Sequence, residues 1–431
     1  MKLTRSHLLL ACFVVSAAAC DNRLLVGQDP DAGAPSGAAG TGTPTSGSAG
    51  TTAPTSGSAG TTAPDTGAAG GAAAPGTGAG GAAGGGPSHL LTPLQISGEE
   101  AVYRAAQVIW KALPDDDLFA QGRQYVETPA DLHGPVRQLL ADARARTGVG
   151  SFYRWWLELD RVKDLPKDAA LFPEFTPALA ADLATETETF GVNLTLDPNG
   201  TYQKLMTAPF TYGNERVASI YGVPGFAGVT TFQRLDLDAA QRAGLLTQPA
   251  LQALGSLEKR NAPTLRGANV MSKFICRSVP LPPAGIPQPK PIAPGMTTRQ
   301  WLSAEVGTQA SCSACHALLD PSGYAFESFD AIGRSRLTDN GLPVDVSNLR
   351  INLLSSAPLL QGPVELANAI ANSAEGQECI VRQWLSYVLN RELNQYDEVS
   401  VAQAVSIARA AGFNLKEVIF AVLSTDAFLK P

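Results

Sequence analysis

Apolar residues recur at intervals of three and four through most of the chain beyond residue 90, a spacing that predicts amphipathic helices. The first predicted helix begins at Ser97, because the Ser97 and Glu100 side chains form a capping box. It is expected to run to Leu113 and stop before Pro114. The face predicted to point inward consists of Val102, Ala105, Ala106 and Ile109.

Two further patterns extend this helical region. Pro135 is predicted to open a helix, since proline is favoured in the first helical turn. Its expected inward face is Val136, Leu139, Leu140 and Ala143. An aromatic stripe follows at helical spacing, formed by Phe152, Trp155, Trp156 and Leu159. Such a stripe is either a packed core seam or an aromatic binding face, and the pattern favours the core seam.

The last part of the chain repeats the helical pattern. Residues 339–345 are expected to form a turn and a short strand. A helix is predicted over residues 379–390, and Asn414 is predicted to cap the final helix. The apolar face of that final helix is Leu415, Val418, Ile419, Val422 and Leu423. The fold class predicted from these patterns is mainly α-helical.

The first 19 residues have the pattern of an export signal. Lys2 and Arg5 precede a short apolar run, Leu8 to Val15, and small residues lead to Cys20. Ordinary signal cleavage and lipid attachment at Cys20 are both open, although Ala17 stands where lipoprotein signals prefer Leu. We expect a lipoprotein of the cell envelope, periplasmic or surface-exposed, held at a membrane through its N-terminal lipid.

Residues 20–88 are dominated by Gly, Ala, Ser, Thr and Pro, and a ten-residue series beginning at Pro44 is repeated from Pro54. This composition buries too little apolar surface to offset chain entropy, which predicts a disordered tether. As a flexible coil the segment would span roughly 40 Å.

Acidic residues outnumber basic ones by 39 to 32 in the whole chain, without a Lys/Arg run, so the sequence does not indicate nucleic-acid binding.

The strongest chemical motif is Cys312-Ser313-Ala314-Cys315-His316. Two thiols at this spacing can form thioethers to a haem, and the adjacent imidazole can ligate the iron. The alternatives are a disulfide and half of a zinc site, but zinc would require a second Cys/His pair at similar spacing. We therefore predict one covalent haem c, with His316 as the proximal ligand.

The segment after this motif resembles a known family. Residues 320–336 are similar to a DPxGFxxExFDxxGRxR sequence that follows CxxCH in cytochrome-like surface proteins of planctomycetes and myxobacteria, with Tyr324 in place of Phe. The matching positions are Asp320, Pro321, Gly323, Glu327, Phe329, Asp330, Gly333, Arg334 and Arg336. Those proteins carry the domains DUF1592, DUF1588 and DUF1585. The resemblance implies a haem and an architecture, without a particular reaction.

The resemblance covers most of residues 106–430 and predicts three units. Residues 89–260 are the DUF1592-like helical domain, residues 261–355 the DUF1588-like haem module, and residues 356–431 the DUF1585-like helical unit. Within the middle unit, prolines between Pro280 and Pro291 predict an extended strap.

The cysteine count predicts a disulfide. Of six cysteines, Cys12 leaves with the signal, Cys20 takes lipid, and two take haem. Cys276 and Cys379 remain, and an exported protein meets conditions that favour disulfides. We predict that they pair, the alternative being two buried thiols.

Other haem contacts stay open at this stage. Arg334 and Arg336 either pair with the haem propionates or bond to nearby carboxylates such as Asp320, Glu327 or Asp330. No Met or His follows His316, so a second axial ligand would come from upstream or from another kind of side chain, such as Lys416. Met296 and Met271 are the candidates, although core packing is an alternative role for Met271.

Relatives carry histidines at places where this chain has Leu257 and Glu305, which makes a five-coordinate iron an alternative. Three functions follow. The first is electron transfer with an unidentified redox partner, and the second is an open-site haem enzyme or gas sensor. The third is a haem-free surface interaction or scaffold protein. The CxxCH motif favours the first.

Overall fold

Helices make up most of the computed structural model, which describes residues 88–279 and 290–430. The predicted mainly α-helical fold class is confirmed. All described residues belong to one unit with a continuous apolar core that extends from the first helix to the last. The predicted export signal, most of the predicted tether and most of the predicted Pro-rich strap lie outside the described residues.

The α-helices follow one another with short connections. They are α1 (Gly98–Ile109), α2 (Asp116–Tyr125), α3 (His133–Ala141), α4 (Ala145–Leu157), α5 (Pro177–Leu196), α6 (Tyr202–Thr207), α7 (Glu215–Tyr221), α8 (Pro249–Leu254), α9 (Pro263–Asn269), α10 (Thr298–Glu305), α11 (Ala310–Tyr324), α12 (Gly362–Asn372), α13 (Ala374–Leu389), α14 (Glu398–Ala410), α15 (Leu415–Leu423) and α16 (Asp426–Leu429). A π-turn, Val270–Phe274, continues α9.

Shorter helical and extended segments fill the connections. The 3₁₀ helices are Ser88–Leu91, Pro129–Leu132, Leu159–Asp164, Leu245–Thr247 and Gln395–Asp397. Three antiparallel strand pairs are β1 (Phe210–Gly213) with β2 (Gln233–Asp236), β3 (Thr338–Asp339) with β4 (Leu342–Pro343), and β5 (Leu349–Arg350) with β6 (Leu359–Leu360). The predicted turn and short strand near residue 340 are present, and Asn340 and Gly341 both have the positive φ that a tight hairpin requires.

The first helix starts as predicted but ends earlier. Ser97 Oγ accepts a hydrogen bond from the Glu100 amide at 3.2 Å. The helix stops at Ile109, four residues before the expected end at Leu113. Lys111 has a φ of 56°, which reverses the chain. A left-handed residue directly after the C-cap ends many helices, so this helix terminates before Pro114 has any effect.

The second predicted helix is longer at its start and shorter at its end than expected. It begins at His133, before Pro135, and closes at Ala141. Ala143 is therefore exposed, and its predicted inward position was wrong. The helix is interrupted because Asp142 Oδ1 accepts a hydrogen bond from the Arg144 amide at 2.8 Å and so opens the turn that leads to α4.

The aromatic stripe is a core seam, as predicted. Phe152 and Trp156 are buried, whereas Trp155 is 44% exposed and lies against Tyr387. The Phe152 ring stacks on Trp384 of α13, with ring centroids 3.7 Å apart. This contact joins the N-terminal helices to the C-terminal ones.

Two C-terminal predictions are confirmed. Asn414 Oδ1 accepts a hydrogen bond from the Lys416 amide at 3.0 Å and thereby caps α15, whose predicted apolar face is buried. Cys276 and Cys379 form the predicted disulfide, which ties the segment after the π-turn to α13. Within the described residues, none of the helices combines the length and apolar character needed to cross a bilayer.

Candidate haem site

One helix, α11, carries the whole CxxCH motif. Cys312 and His316 are four residues apart and therefore lie on the same side of the helix, with Cys315 beside them. Cys312 is buried and Cys315 is partly buried. The His316 side chain is 22% exposed, so the motif lies at the edge of the core.

Two glycines bring α9 very close to α11. A Cβ atom added at Gly323 would lie 1.8 Å from the Pro263 carbonyl oxygen. A Cβ atom added at Gly267 would lie 2.0 Å from the Leu319 carbonyl oxygen. The two backbones can approach this closely only where side chains are absent. The contact places Thr264 of α9 against the motif-bearing face of α11.

Asp320 lies at the centre of the site. Its Oδ2 accepts a hydrogen bond from His316 Nδ1 at 2.9 Å, one helical turn away. Its Oδ1 accepts a hydrogen bond from the Thr264 hydroxyl at 2.8 Å. The Tyr324 hydroxyl donates to Oδ2 at 3.4 Å. Asp320 is only 5% exposed, so these donors take the place of water around the carboxylate.

This arrangement fits an iron-ligating histidine. An ionised carboxylate only accepts hydrogen bonds, so the proton lies on Nδ1 of His316. Among the described residues, no hydrogen bond reaches Nε2, whose lone pair is then available for a metal. Histidine ligands commonly donate their second N–H to a carboxylate in this way. The two thiols and the oriented imidazole are the groups that a c-type haem requires.

The described residues contain no group of three or more His, Cys, Asp or Glu side chains placed to hold a metal ion by themselves. A tetrahedral zinc site normally takes four such ligands. The haem interpretation of Cys312, Cys315 and His316 stays a prediction.

Arg334 and Arg336 form ion pairs within the protein. Arg334 pairs with Asp330, at 2.7 Å, and with Glu174. Arg336 lies 3.0 Å from Glu327 and 2.8 Å from Asp339. The structure shows these carboxylate pairs, and the pairing of the two arginines with haem propionates stays a prediction. Glu174 and Asp339 were not among the partners expected from the sequence.

The buried side chain of Arg266 holds the backbone of the segment that follows α11. The sequence analysis did not identify this role. Arg266 is 2% exposed, and its guanidinium donates to the Phe326 and Asp330 carbonyl oxygens, both at 2.7 Å. Burial lowers the pKa of Arg266 to about 10. Burial likewise raises the pKa of the nearby Glu327 carboxyl, despite the positive charges of Arg336 and Arg266. The signal available in the sequence was the adjacent pair Arg266-Gly267 upstream of the CxxCH motif.

The candidate distal methionines occupy different surroundings. Met271 is 6% exposed and lies in the core on the π-turn, which packs against α11. Met296 is partly buried, immediately before Thr297, the N-cap of α10. Its carbonyl oxygen accepts a hydrogen bond from Asn340 at 3.0 Å. The burial of Met271 agrees with a packing role, and the distal ligand stays a prediction.

Comparison with known proteins finds three family matches along the chain. Residues 98–223 match a protein of unknown function (DUF1592). Residues 242–339 match a second such family (DUF1588), and residues 359–428 a third (DUF1585). The second match contains the whole of α11 and its partner α9. No curated protein and no solved structure matches the chain.

Proposed function

Because the chain belongs to the family built from consecutive DUF1592, DUF1588 and DUF1585 domains, we propose that it is a monohaem c-type cytochrome that transfers electrons. The observation that best supports this proposal is that one helix carries Cys312, Cys315 and His316. Asp320 accepts a hydrogen bond from His316 Nδ1 on the same helix. Cys312 and Cys315 would form the two thioethers, and His316 Nε2 would bind the iron.

When bound, the haem supplies a one-electron change between ferric and ferrous iron. The chain's own residues bind it and control its surroundings. α11 presents the thiols and the imidazole in fixed order, and the tight α9 contact holds that helix in place. Met296 or Met271 is proposed as the second axial ligand. The net charge of −7 favours a cationic or neutral redox partner, which stays unidentified.

The proposal includes export and a membrane tether. The basic and apolar pattern of residues 1–19 and the position of Cys20 support it. The tether over residues 20–88 would hold the haem module away from the membrane to which the lipid is attached. Fractionation of cells that produce the wild-type chain and Cys20→Ala tests this. The proposal fails if both chains are equally soluble without detergent.

The test of the haem is an absorption spectrum of the mature protein, produced together with the c-haem maturation machinery. We expect a Soret band that stays with the polypeptide after denaturation, because thioethers are covalent. The control is the Cys312→Ser/Cys315→Ser double variant, which should lose haem on denaturation. A wild-type protein without a Soret band would contradict the proposal and leave the haem-free surface protein as the interpretation.

An open haem site is the second candidate function. The observation that favours it is the Asp320 carboxylate on His316, since a strongly donating axial histidine suits iron that binds an exogenous ligand. Carbon monoxide separates the candidates. A six-coordinate iron bound by Met296 or Met271 should resist carbon monoxide, and replacement of the true ligand by Ala should abolish that resistance. A wild-type spectrum that shifts at once would favour the open site.

A further inference from the structure

Asp320 is a nearly buried carboxylate that contacts the CxxCH motif, and three side chains donate hydrogen bonds to it. We propose that Asp320 is a positioning residue that acts through His316 to make the haem iron easier to oxidise. Thr264 and Tyr324 moderate this effect through their hydrogen bonds to the same carboxylate. The inference rests on the proposed function, because it concerns the potential of the haem that His316 would bind.

The geometry restricts what the His316 ring can do. His316 and Asp320 are one turn apart on α11, and Nδ1 lies 2.9 Å from Asp320 Oδ2. The Thr264 hydroxyl, on α9, holds the other carboxylate oxygen at 2.8 Å. Because Thr264 belongs to a second helix that packs tightly on the first, the carboxylate cannot rotate without losing a bond. The ring is therefore fixed with Nε2 available to the iron.

Burial makes the charge of Asp320 effective. The side chain is 7% exposed, so little water screens it from the imidazole. A carboxylate that accepts the Nδ1 proton increases electron donation through Nε2. Greater donation stabilises ferric over ferrous iron, which lowers the midpoint potential.

Two hydroxyl groups act in the opposite direction. Thr264 Oγ1 and the Tyr324 hydroxyl both donate to Asp320, at 2.8 and 3.4 Å, and each bond withdraws charge from the carboxylate. The Tyr324 hydroxyl also lies 3.3 Å from Ser303 Oγ on α10. Residues of α9 and α11 thus contact one carboxylate, and α10 is connected to it through the Tyr324 hydroxyl, although only His316 among these residues would touch the iron.

The test is redox titration of the haem-loaded protein and three variants. Asp320→Asn keeps an acceptor for Nδ1 but removes the charge. We expect about a tenfold weaker preference for the ferric state, which for one electron is a shift of about 59 mV to more positive potential. Thr264→Val and Tyr324→Phe each remove a donor, so the carboxylate should act more strongly and the potential should become more negative.

Opposite shifts distinguish this role from a purely structural one, because loosening of the site would move all three variants in the same direction. Asp117→Asn, on the exposed face of α2, removes the same charge away from the motif and should leave the potential unchanged. Resonance Raman spectra of the ferrous protein, recorded in a background in which the second axial ligand is replaced by Ala so that the iron is five-coordinate, give a second readout. The iron–histidine stretch should fall in frequency in Asp320→Asn and rise in Thr264→Val.

Each outcome has one meaning. Haem in the wild-type protein with unchanged potentials in all three variants overturns this inference and leaves the proposed function intact. A wild-type protein without haem overturns both. If Asp320→Asn retains no haem, the other two variants decide: a negative shift supports the inference, and a positive shift or none overturns it.

Discussion

Glu186 shows at the residue scale how burial sets the charge of a side chain. It is fully buried on α5, where its Oε1 accepts hydrogen bonds from the Thr211 hydroxyl at 2.8 Å and the Tyr221 hydroxyl at 2.5 Å. Burial raises its pKa to about 7, although those bonds and the charge of Arg242 favour ionisation. Glu186 and its hydrogen-bond partners lie outside the CxxCH motif. We therefore expect the charge of Glu186 to affect the folding stability of the protein.

The first prediction concerns stability against pH. An unfolded Glu186 releases its proton near pH 4.5, but the folded protein retains it until about pH 7. Folding stability is therefore lost as pH rises between those values, by about 3 kcal/mol. Glu186→Gln keeps an acceptor oxygen without the charge. We expect it to match the wild type in urea unfolding at pH 5 and to be more stable at pH 8. Equal stability of the two proteins at pH 8 would contradict this prediction. Glu127→Gln, at an exposed position, serves as the control and should not change the dependence of stability on pH.

At the scale of elements, the contact between α9 and α11 determines the geometry of the candidate site. Gly267 and Gly323 leave room for facing carbonyl oxygens, and Thr264 then reaches Asp320. Arg266, on the same short helix, bonds to the segment that follows α11. A seven-residue helix with little stability of its own is thus held by contacts on two sides.

The second prediction tests this contact. Gly323→Ala places a Cβ atom against the Pro263 carbonyl, so we expect a loss of about 1–3 kcal/mol in urea unfolding, despite the better helix propensity of Ala. Gly134→Ala is the matched control, since nothing lies within 4 Å of its added Cβ. The control should be neutral or slightly stabilising. Equal stability of the two variants would show that α9 and α11 separate easily.

At the scale of the whole molecule, two contacts connect distant parts of the chain. The Phe152–Trp384 stack joins α4 to α13, and the Cys276–Cys379 disulfide joins residues 103 positions apart. A cross-link over a loop of that length restricts the unfolded chain much more than the folded one.

The third prediction follows from that loop. In the chain-entropy account, Cys276→Ser/Cys379→Ser should lose about 4–5 kcal/mol of unfolding free energy. Urea unfolding with and without dithiothreitol measures it. Reductant should destabilise the wild type and leave the double variant unchanged. A wild type that unfolds at the same urea concentration after full reduction would refute the entropic contribution.

Features determined within a few residues of each other were predictable from the sequence alone. The helical class, the Ser97 and Asn414 caps and the core seam around Phe152 follow from local hydrogen bonds and from the 3.6-residue period. The CxxCH spacing is local as well, and the disulfide followed from counting the cysteines that remained.

The tertiary structure decided which distant groups meet. Arg334 pairs with Glu174, 160 residues away, and Trp155 remains 44% exposed although its ring lies against Tyr387 of α13. His316 and Asp320 are neighbours on one helix, but Thr264 reaches them only because two glycines let α9 approach. Periodicity identifies the buried face of a helix. The partner of a buried charge depends on how separate helices pack, and no local pattern in the sequence records that packing.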